Sequence, residues 1–270
     1  MELGALNQYI AEIERSEQTV LLPPKGRLKV GLDLGTAYIV IVVLDEENRP
    51  IACEKQAASV LKDGVVVDFI GAQRITAALK AKLEARLGRE LSECAIAMPA
   101  GTESSVKTHI YVAEGAGFEV TQVLDEPSAA NALYEAKDGV IVDIGGGTTG
   151  LAILKDGEVI AIADEATGGT HLTLVLAGNQ GLSFEEAERL KMDYSSHKRI
   201  FPIIRPVLEK MATIVARQIQ PFSVPKAYLC GGTCCMTGIE AVFEKTLGIP
   251  VVKAENPFLV TPAGIAVNAF

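Results

Sequence analysis

Asp33 and Asp143 are the residues from which chemistry can first be argued. Each is the lone charged residue in an otherwise apolar, strand-like run, VGLDLGT (30–36) and IVDIGGGT (141–148). A carboxylate in such a strand is costly to bury unless something offsets its charge. Each is followed within two positions by glycine and then by threonine. Glycine lets backbone N–H groups reach phosphate oxygens that a Cβ would hold away. Two acids beside two glycine turns fit one shared divalent cation, and magnesium is held by few carboxylates while keeping waters and phosphate oxygens. The pattern predicts Asp33 and Asp143 as metal carboxylates. Gly35, Gly145, Gly146 and Gly147 become amide-presenting turns, and Thr36, Thr148 and Thr149 hydroxyl donors. A single glycine triplet would say little, because a tight hairpin asks for the same residues. The repeat of the unit 110 positions later carries the weight. A further glycine pair, Gly231-Gly232, follows a short apolar run and precedes a helical pattern. That order can present backbone to a flat base or ribose, or serve as a plain strand-to-helix turn.

The elements that must position these residues alternate along the chain. Residues 1–18 read as an amphipathic helix, with Leu3, Leu6, Ile10 and Ile13 at helical spacing. Covering its own domain is the simplest use of such a face; docking a partner is the other. Pro23-Pro24 breaks the chain. Strands are expected at 28–34, 37–44, 51–57, 94–98 and 118–124, with helices at 72–87, 104–113 and 127–135. A second hairpin, 140–144 and 149–154, is followed by a strand at 158–163. Helices are expected at 170–177, 183–191 and 207–220, a strand at 227–230, a helix at 237–247, a short strand at 251–252 and a closing helix at 262–268. Two hairpins of one pattern suggest two lobes of similar build facing each other.

Composition narrows the function classes. The net charge of −9 argues against a non-specific nucleic-acid or anionic-membrane surface, both of which need a basic patch. The longest apolar run, 38–44, has strand length rather than membrane length. The first residues are acidic, so no secretory signal and a cytoplasmic protein are expected. Five cysteines without a regular framework fit reduced thiols. Cys230, Cys234 and Cys235 lack a CxxC pair and a nearby histidine in sequence, and read as structural rather than metal-binding.

With these motifs in order, the chain resembles the superfamily of actin, DnaK-type chaperones and sugar kinases. GLDLGT (31–36) resembles its first phosphate motif, VDIGGGTTG (142–150) its second, LDEPSAA (124–130) its first connecting helix, LCGG (229–232) its adenosine motif and TPAGIAVNA (261–269) its last connecting helix. KDGVVVDF (62–69) is similar to the bacterial rod-shape actins. The resemblance implies a two-lobed α/β actin-like ATPase of duplicated ribonuclease-H-like lobes, binding ATP or ADP with Mg²⁺ between them. The implied division is a helical extension over 1–25, a first lobe over 26–137 and a second over 138–270, with a final helix near 257–270 returning to the first. Asp33 and Asp143 would hold magnesium mostly through water. Glu126 would position or activate the attacking water, the acid-base part of hydrolysis; a helix-start acid favoured by the dipole is the other reading. Glu188 and Lys191, in EAERLK, would touch adenosine together with Gly231 and Gly232, against the alternative of a solvated helix face.

Three departures stand out. Gly150 occupies the position where the second phosphate motif usually ends in an acid. The catalytic lysine of DnaK-type chaperones has no clear match. Only about 15 residues separate Lys191 from the helix expected at 207, so the outer subdomain of the second lobe is expected to be largely missing, and no substrate-binding domain follows Phe270. A reduced actin-like ATPase of this kind is most like the EutJ family of bacterial ethanolamine utilisation. That resemblance implies a chaperone-like factor whose protein client is ethanolamine ammonia-lyase or a microcompartment component, with no nucleic acid and no membrane span. A cytoskeletal filament protein, a small-molecule kinase and a nucleotide binder without turnover are the alternatives.

Overall fold

The computed structural model describes residues 2–99 and 106–270; the expected helix start at Ser104 lies outside them. The chain divides into two compact units, Met1–Glu135 with Leu259–Phe270, and Ala136–Phe258.

The first unit is built on a five-stranded sheet. β1 (Lys29–Leu34), β2 (Tyr38–Leu44) and β3 (Pro50–Ala57) form an antiparallel meander, and a short hairpin of β4 (Leu61–Lys62) and β5 (Val65–Val66) follows. β6 (Glu93–Met98) and β7 (Glu119–Asp125) add parallel strands, giving the order β3-β2-β1-β6-β7. Alternation places Val30, Leu32, Leu34, Ile39, Ile41 and Val43 on the face packed by α2 (Phe69–Leu87) and α3 (Val106–Gly115). α2 starts before the expected residue 72 because the Asp68 carboxylate caps the Gly71 N–H at 2.9 Å. α1 (Leu3–Ser16) buries Leu6, Ile10 and Ile13 and packs on β3, so its apolar face covers its own unit.

The opposite face of β1 is met by α9 (Val260–Val267), which packs on α4 (Glu126–Tyr134). Small residues allow it. A Cβ on Gly31 would lie 2.4 Å from the Ala266 nitrogen, and one on Gly264 would lie 1.9 Å from the Ala129 oxygen. Gly31 of VGLDL and Gly264 of TPAGIA therefore bring helix and strand backbones into direct contact.

The second unit repeats the plan. β8 (Gly139–Ile144), β9 (Thr149–Lys155) and β10 (Glu158–Glu165) form the meander; β11 (Ala227–Cys230) and β12 (Val251–Lys253) are parallel additions, in the order β10-β9-β8-β11-β12. Its core combines Val140, Val142, Ile144, Leu151 and Ile153 with α5 (Gly169–Gln180), α6 (Phe184–Met192), α7 (His197–Ile219) and α8 (Ile239–Leu247).

The structure corrects one boundary substantially. α7 begins at His197, not near residue 207, and runs through Pro202 and Pro206. Each proline removes one intrahelical N–H and disfavours helix. The stripe Ile200, Ile204, Leu208, Met211, Val215 and Ile219 is buried along the whole length and outweighs that cost. Only residues 193–196 separate α6 from α7. No helix among the described residues is long and apolar enough to cross a membrane.

Candidate functional site

The two glycine turns have one register. In the first unit Leu34 pairs with Ile39 and Asp33 with Val40, and the turn closes with Gly35 N–H donating to Tyr38 O at 2.9 Å. In the second, Ile144 pairs with Thr149 and Asp143 with Gly150, and Gly145 N–H donates to Thr148 O at 3.0 Å. Each aspartate thus sits one pair before a four-residue corner, on the face opposite its apolar neighbours. This is what a duplicated acid–glycine unit should give.

Asp33 is half-buried, and its Oδ1 is 3.8 Å from where a Cβ of Gly35 would stand. Thr36 is half-buried in the same turn. Also in this unit, Glu126 begins α4, half-buried, with Asp125 capping the helix through Ser128 N–H at 2.8 Å.

The corner of the second unit is more deeply enclosed. Asp143 is 4 % exposed. Gly231 has φ +90°, and a Cβ there would stand 2.3 Å from Asp143 Oδ1 and 2.5 Å from Ile144 O. Gly231 is therefore required by the passage of the Asp143 carboxylate. Gly232 opens a short 3-10 turn, Gly232–Cys235, and the helix expected at 237–247 follows at Ile239–Leu247. From that turn the Thr233 hydroxyl donates to Gly145 O at 2.8 Å.

A glycine pair that sequence reasoning passed over holds the other side of the corner. Gly169 N–H donates to Gly145 O at 3.0 Å, and Thr170 N–H to Gly146 O at 2.8 Å. A Cβ on Gly168 would be 2.7 Å from Gly146 O. The signal was present: Gly168-Gly169 stands between a strand and a helix, the same order noted for Gly231-Gly232. The two threonines expected to offer hydroxyls have acceptors within the unit. Thr149 donates to Thr167 O at 2.7 Å, and Thr148 hydrogen-bonds the Asp164 carboxylate.

Glu188 and Lys191 join this network. Lys191 Nζ donates to Gly169 O at 3.2 Å, Thr173 Oγ1 at 2.9 Å and Glu188 Oε2 at 2.7 Å, and Thr173 also hydrogen-bonds Glu188. Burial holds the Lys191 ammonium below its usual range, with Glu188 opposing that shift. The pair is therefore a tie between α6 and α5 behind the corner, not a solvated helix face.

Several observations fit an anion and a cation at this corner. No backbone carbonyl among the described residues accepts the N–H of Gly146 or Gly147. Asp143 is a buried carboxylate beside them. Among the described residues no three His, Cys, Asp or Glu side chains are grouped to hold a metal. Magnesium needs few carboxylates, because it takes most of its shell from water and phosphate. Cys53, Cys94, Cys230 and Cys234 are buried, and Cys235 is partly so. Burial pushes the Cys94 thiol up to about 12 and Cys234 well above its ordinary value, which marks them as packing groups.

Two sheets of one topology with a duplicated acid–glycine corner define the actin-like ATPase fold, and the comparisons agree. The family model for the MreB/Mbl protein matches residues 52–177, and that for the type IV pilus assembly protein PilM matches residues 128–268. The MreB5 structures of Spiroplasma citri bound to AMPPNP and to ADP are similar at TM-scores of 0.68 and 0.69, with 18 % and 19 % identity; each likeness covers 89 % of this chain and 95 % of that one. At that identity the likeness is one of fold. The ethanolamine utilization protein EutJ of Escherichia coli (strain K12) is 42 % identical over 240 residues, 88 % of this chain and 85 % of that protein. The crystal structure of EutJ from Carboxydothermus hydrogenoformans superposes with a TM-score of 0.93 at 45 % identity, covering 99 % of both chains. The chain belongs to the EutJ family.

Proposed function

We propose that this protein binds ATP and ADP with magnesium and hydrolyses ATP slowly, as a nucleotide-driven factor in ethanolamine utilisation. The observation that carries the reading is the shared register of the two corners: Asp33 and Asp143 each lie one pair before a glycine turn closed by the same backbone hydrogen bond. In this reading Asp33 and Asp143 are the metal carboxylates and act on magnesium through its water shell. Gly146 and Gly147 present amides to the β- and γ-phosphates, whereas the Gly35 and Gly145 N–H groups close their corners on Tyr38 O and Thr148 O; the Thr36 hydroxyl is the donor from the first corner. Glu126, at the start of α4, orients the water for hydrolysis and accepts its proton at the carboxylate. When bound, magnesium would offset the negative charge that collects on the phosphate oxygens. Glu188 and Lys191 hold α6 and α5 against the corner, and Gly231-Gly232 offers backbone on the adenosine side.

In this proposal the protein is a chaperone-like factor whose nucleotide site biases a partner surface; membership of the EutJ family supports the ethanolamine-utilisation setting. Its client would be ethanolamine ammonia-lyase or a microcompartment component, met in the cytoplasm. Titration calorimetry tests the site: Mg-ATP should bind the parent, and Asp33→Ala and Asp143→Ala should each weaken it by at least about tenfold. Two variants binding as tightly as the parent would end the reading. Nucleotide-dependent co-purification of an ethanolamine enzyme tests the client. Sedimentation of polymer with Mg-ATP would favour a filament instead.

A further inference from the structure

The rows of residues that cross the two meanders share a register but not a composition. Across β1, β2 and β3 the row is Asp33, Val40, Lys55. Across β8, β9 and β10 it is Asp143, Gly150, Asp164. Residues directly opposite on neighbouring antiparallel strands share a face of the sheet. In the first unit the buried Val40 side chain fills the middle of the row, and Lys55 Nζ pairs with Glu17 at 2.6 Å. In the second, Gly150 puts no side chain between the two acids. Asp164 therefore shares a face with Asp143, with only the buried Gly150 between them in the row. Its carboxyl is hydrogen-bonded by the Thr148 hydroxyl, the last residue of the corner, while its Oδ1 is buried with no hydrogen-bond partner among the described residues.

A buried carboxylate oxygen with no donor is unfavourable, and the described chain supplies none. Burial raises the Asp164 pKa to about 7; the Thr148 hydroxyl opposes this, and the charges of Asp143 and Glu165 add to it. Both features ask for a donor and a positive charge at this spot. A hydrated magnesium ion carries both, because it keeps waters whose protons need acceptors.

We propose that Asp164 is a positioning residue of the magnesium–nucleotide site. It accepts a hydrogen bond from the Thr148 hydroxyl, so the Thr148 oxygen turns lone pairs rather than hydrogen outward, and the Asp164 Oδ1 accepts from cation-held water. It thus supplies from β10 a carboxylate on the face where Gly150 offers none. The inference rests on the nucleotide reading above and adds a residue to it.

The test compares ADP binding by calorimetry in excess magnesium and in EDTA, on the full chain and on Asp164→Asn. The amide keeps an acceptor for Thr148 and removes the charge. The expected result is about tenfold weaker binding in magnesium, the size of effect seen when outer-shell carboxylates are removed, with binding in EDTA unchanged or tighter. Lys55→Met, the same row position in the first unit, should leave the magnesium dependence as in the parent. Asp164→Asn showing the parent's magnesium dependence would overturn the proposal, and so would equal losses with and without the ion, which mark a structural role. If Asp164→Asn does not fold, Asp164→Ser carries the same comparison. A parent that binds no ADP in either condition would overturn the nucleotide reading itself, and this inference with it.

Discussion

The corner of the first unit and that of the second are the same backbone device in different surroundings. Both close with a glycine N–H on the carbonyl three residues on, and both place an aspartate one pair earlier. In the first, Asp33 and Thr36 are half-buried. The second is fastened from two sides, by Thr233 and Gly169 on Gly145 O and by Thr170 on Gly146 O, over a buried Asp143. The difference teaches that one register can be duplicated while the burial around it changes. The second corner is preorganised, the condition for holding charge without reorganisation.

The comparison breaks most sharply at Gly231. Asp143 pairs with Cys230 and Asp33 with Ala97, so the first-unit counterpart of Gly231 is Met98, where a side chain is tolerated. Gly231→Ala drives a Cβ into Asp143 at φ +90°. It should destabilise the protein by about 2–4 kcal/mol in chemical denaturation and remove magnesium-dependent nucleotide binding. Unchanged stability would mean that Asp143 does not lie against Gly231.

A smaller effect is expected at Thr233. Thr233→Val removes one of the donors to Gly145 O and should cost about 1 kcal/mol in the same measurement. Its nucleotide affinity should fall more than that of Tyr38→Phe in the first unit, whose corner bond uses the backbone only. Equal effects would contradict the claim that the second corner depends on side chains.

The smallest effect concerns pH. In the metal-free protein the Asp164 carboxyl is raised from 3.8 to about 7, chiefly by burial. A raised folded pKa favours folding while the group is protonated. Its contribution is therefore full below about pH 4 and is lost as pH rises through about 7. Asp164→Asn should flatten that part of the stability–pH curve. A curve falling as steeply in the variant would place the titration elsewhere.

Much of the architecture was readable because its signals are local. The period-two runs around Asp33 and Asp143 gave both meanders, and the spacing of Leu6, Ile10 and Ile13 gave the buried face of α1. What escaped depends on partners distant in sequence. α7 crosses two prolines because buried residues along its length outweigh two missing hydrogen bonds. Asp164 was read as lying just past a strand ending at 163. Its place opposite Gly150 follows from pairing across β9 and β10, which a single strand's pattern does not contain. Gly168-Gly169 carried a legible pattern, but its contact with Gly145 and Gly146 arises only when the chain returns to the corner.

The central claim is that Asp33 and Asp143 are magnesium carboxylates. ADP affinity in excess magnesium and in EDTA, for the parent, Asp33→Asn and Asp143→Asn, tests it most directly. The account predicts that each variant loses about tenfold or more in magnesium and little in EDTA. Variants that bind Mg-ADP as the parent does, or that lose as much in EDTA, would contradict the account.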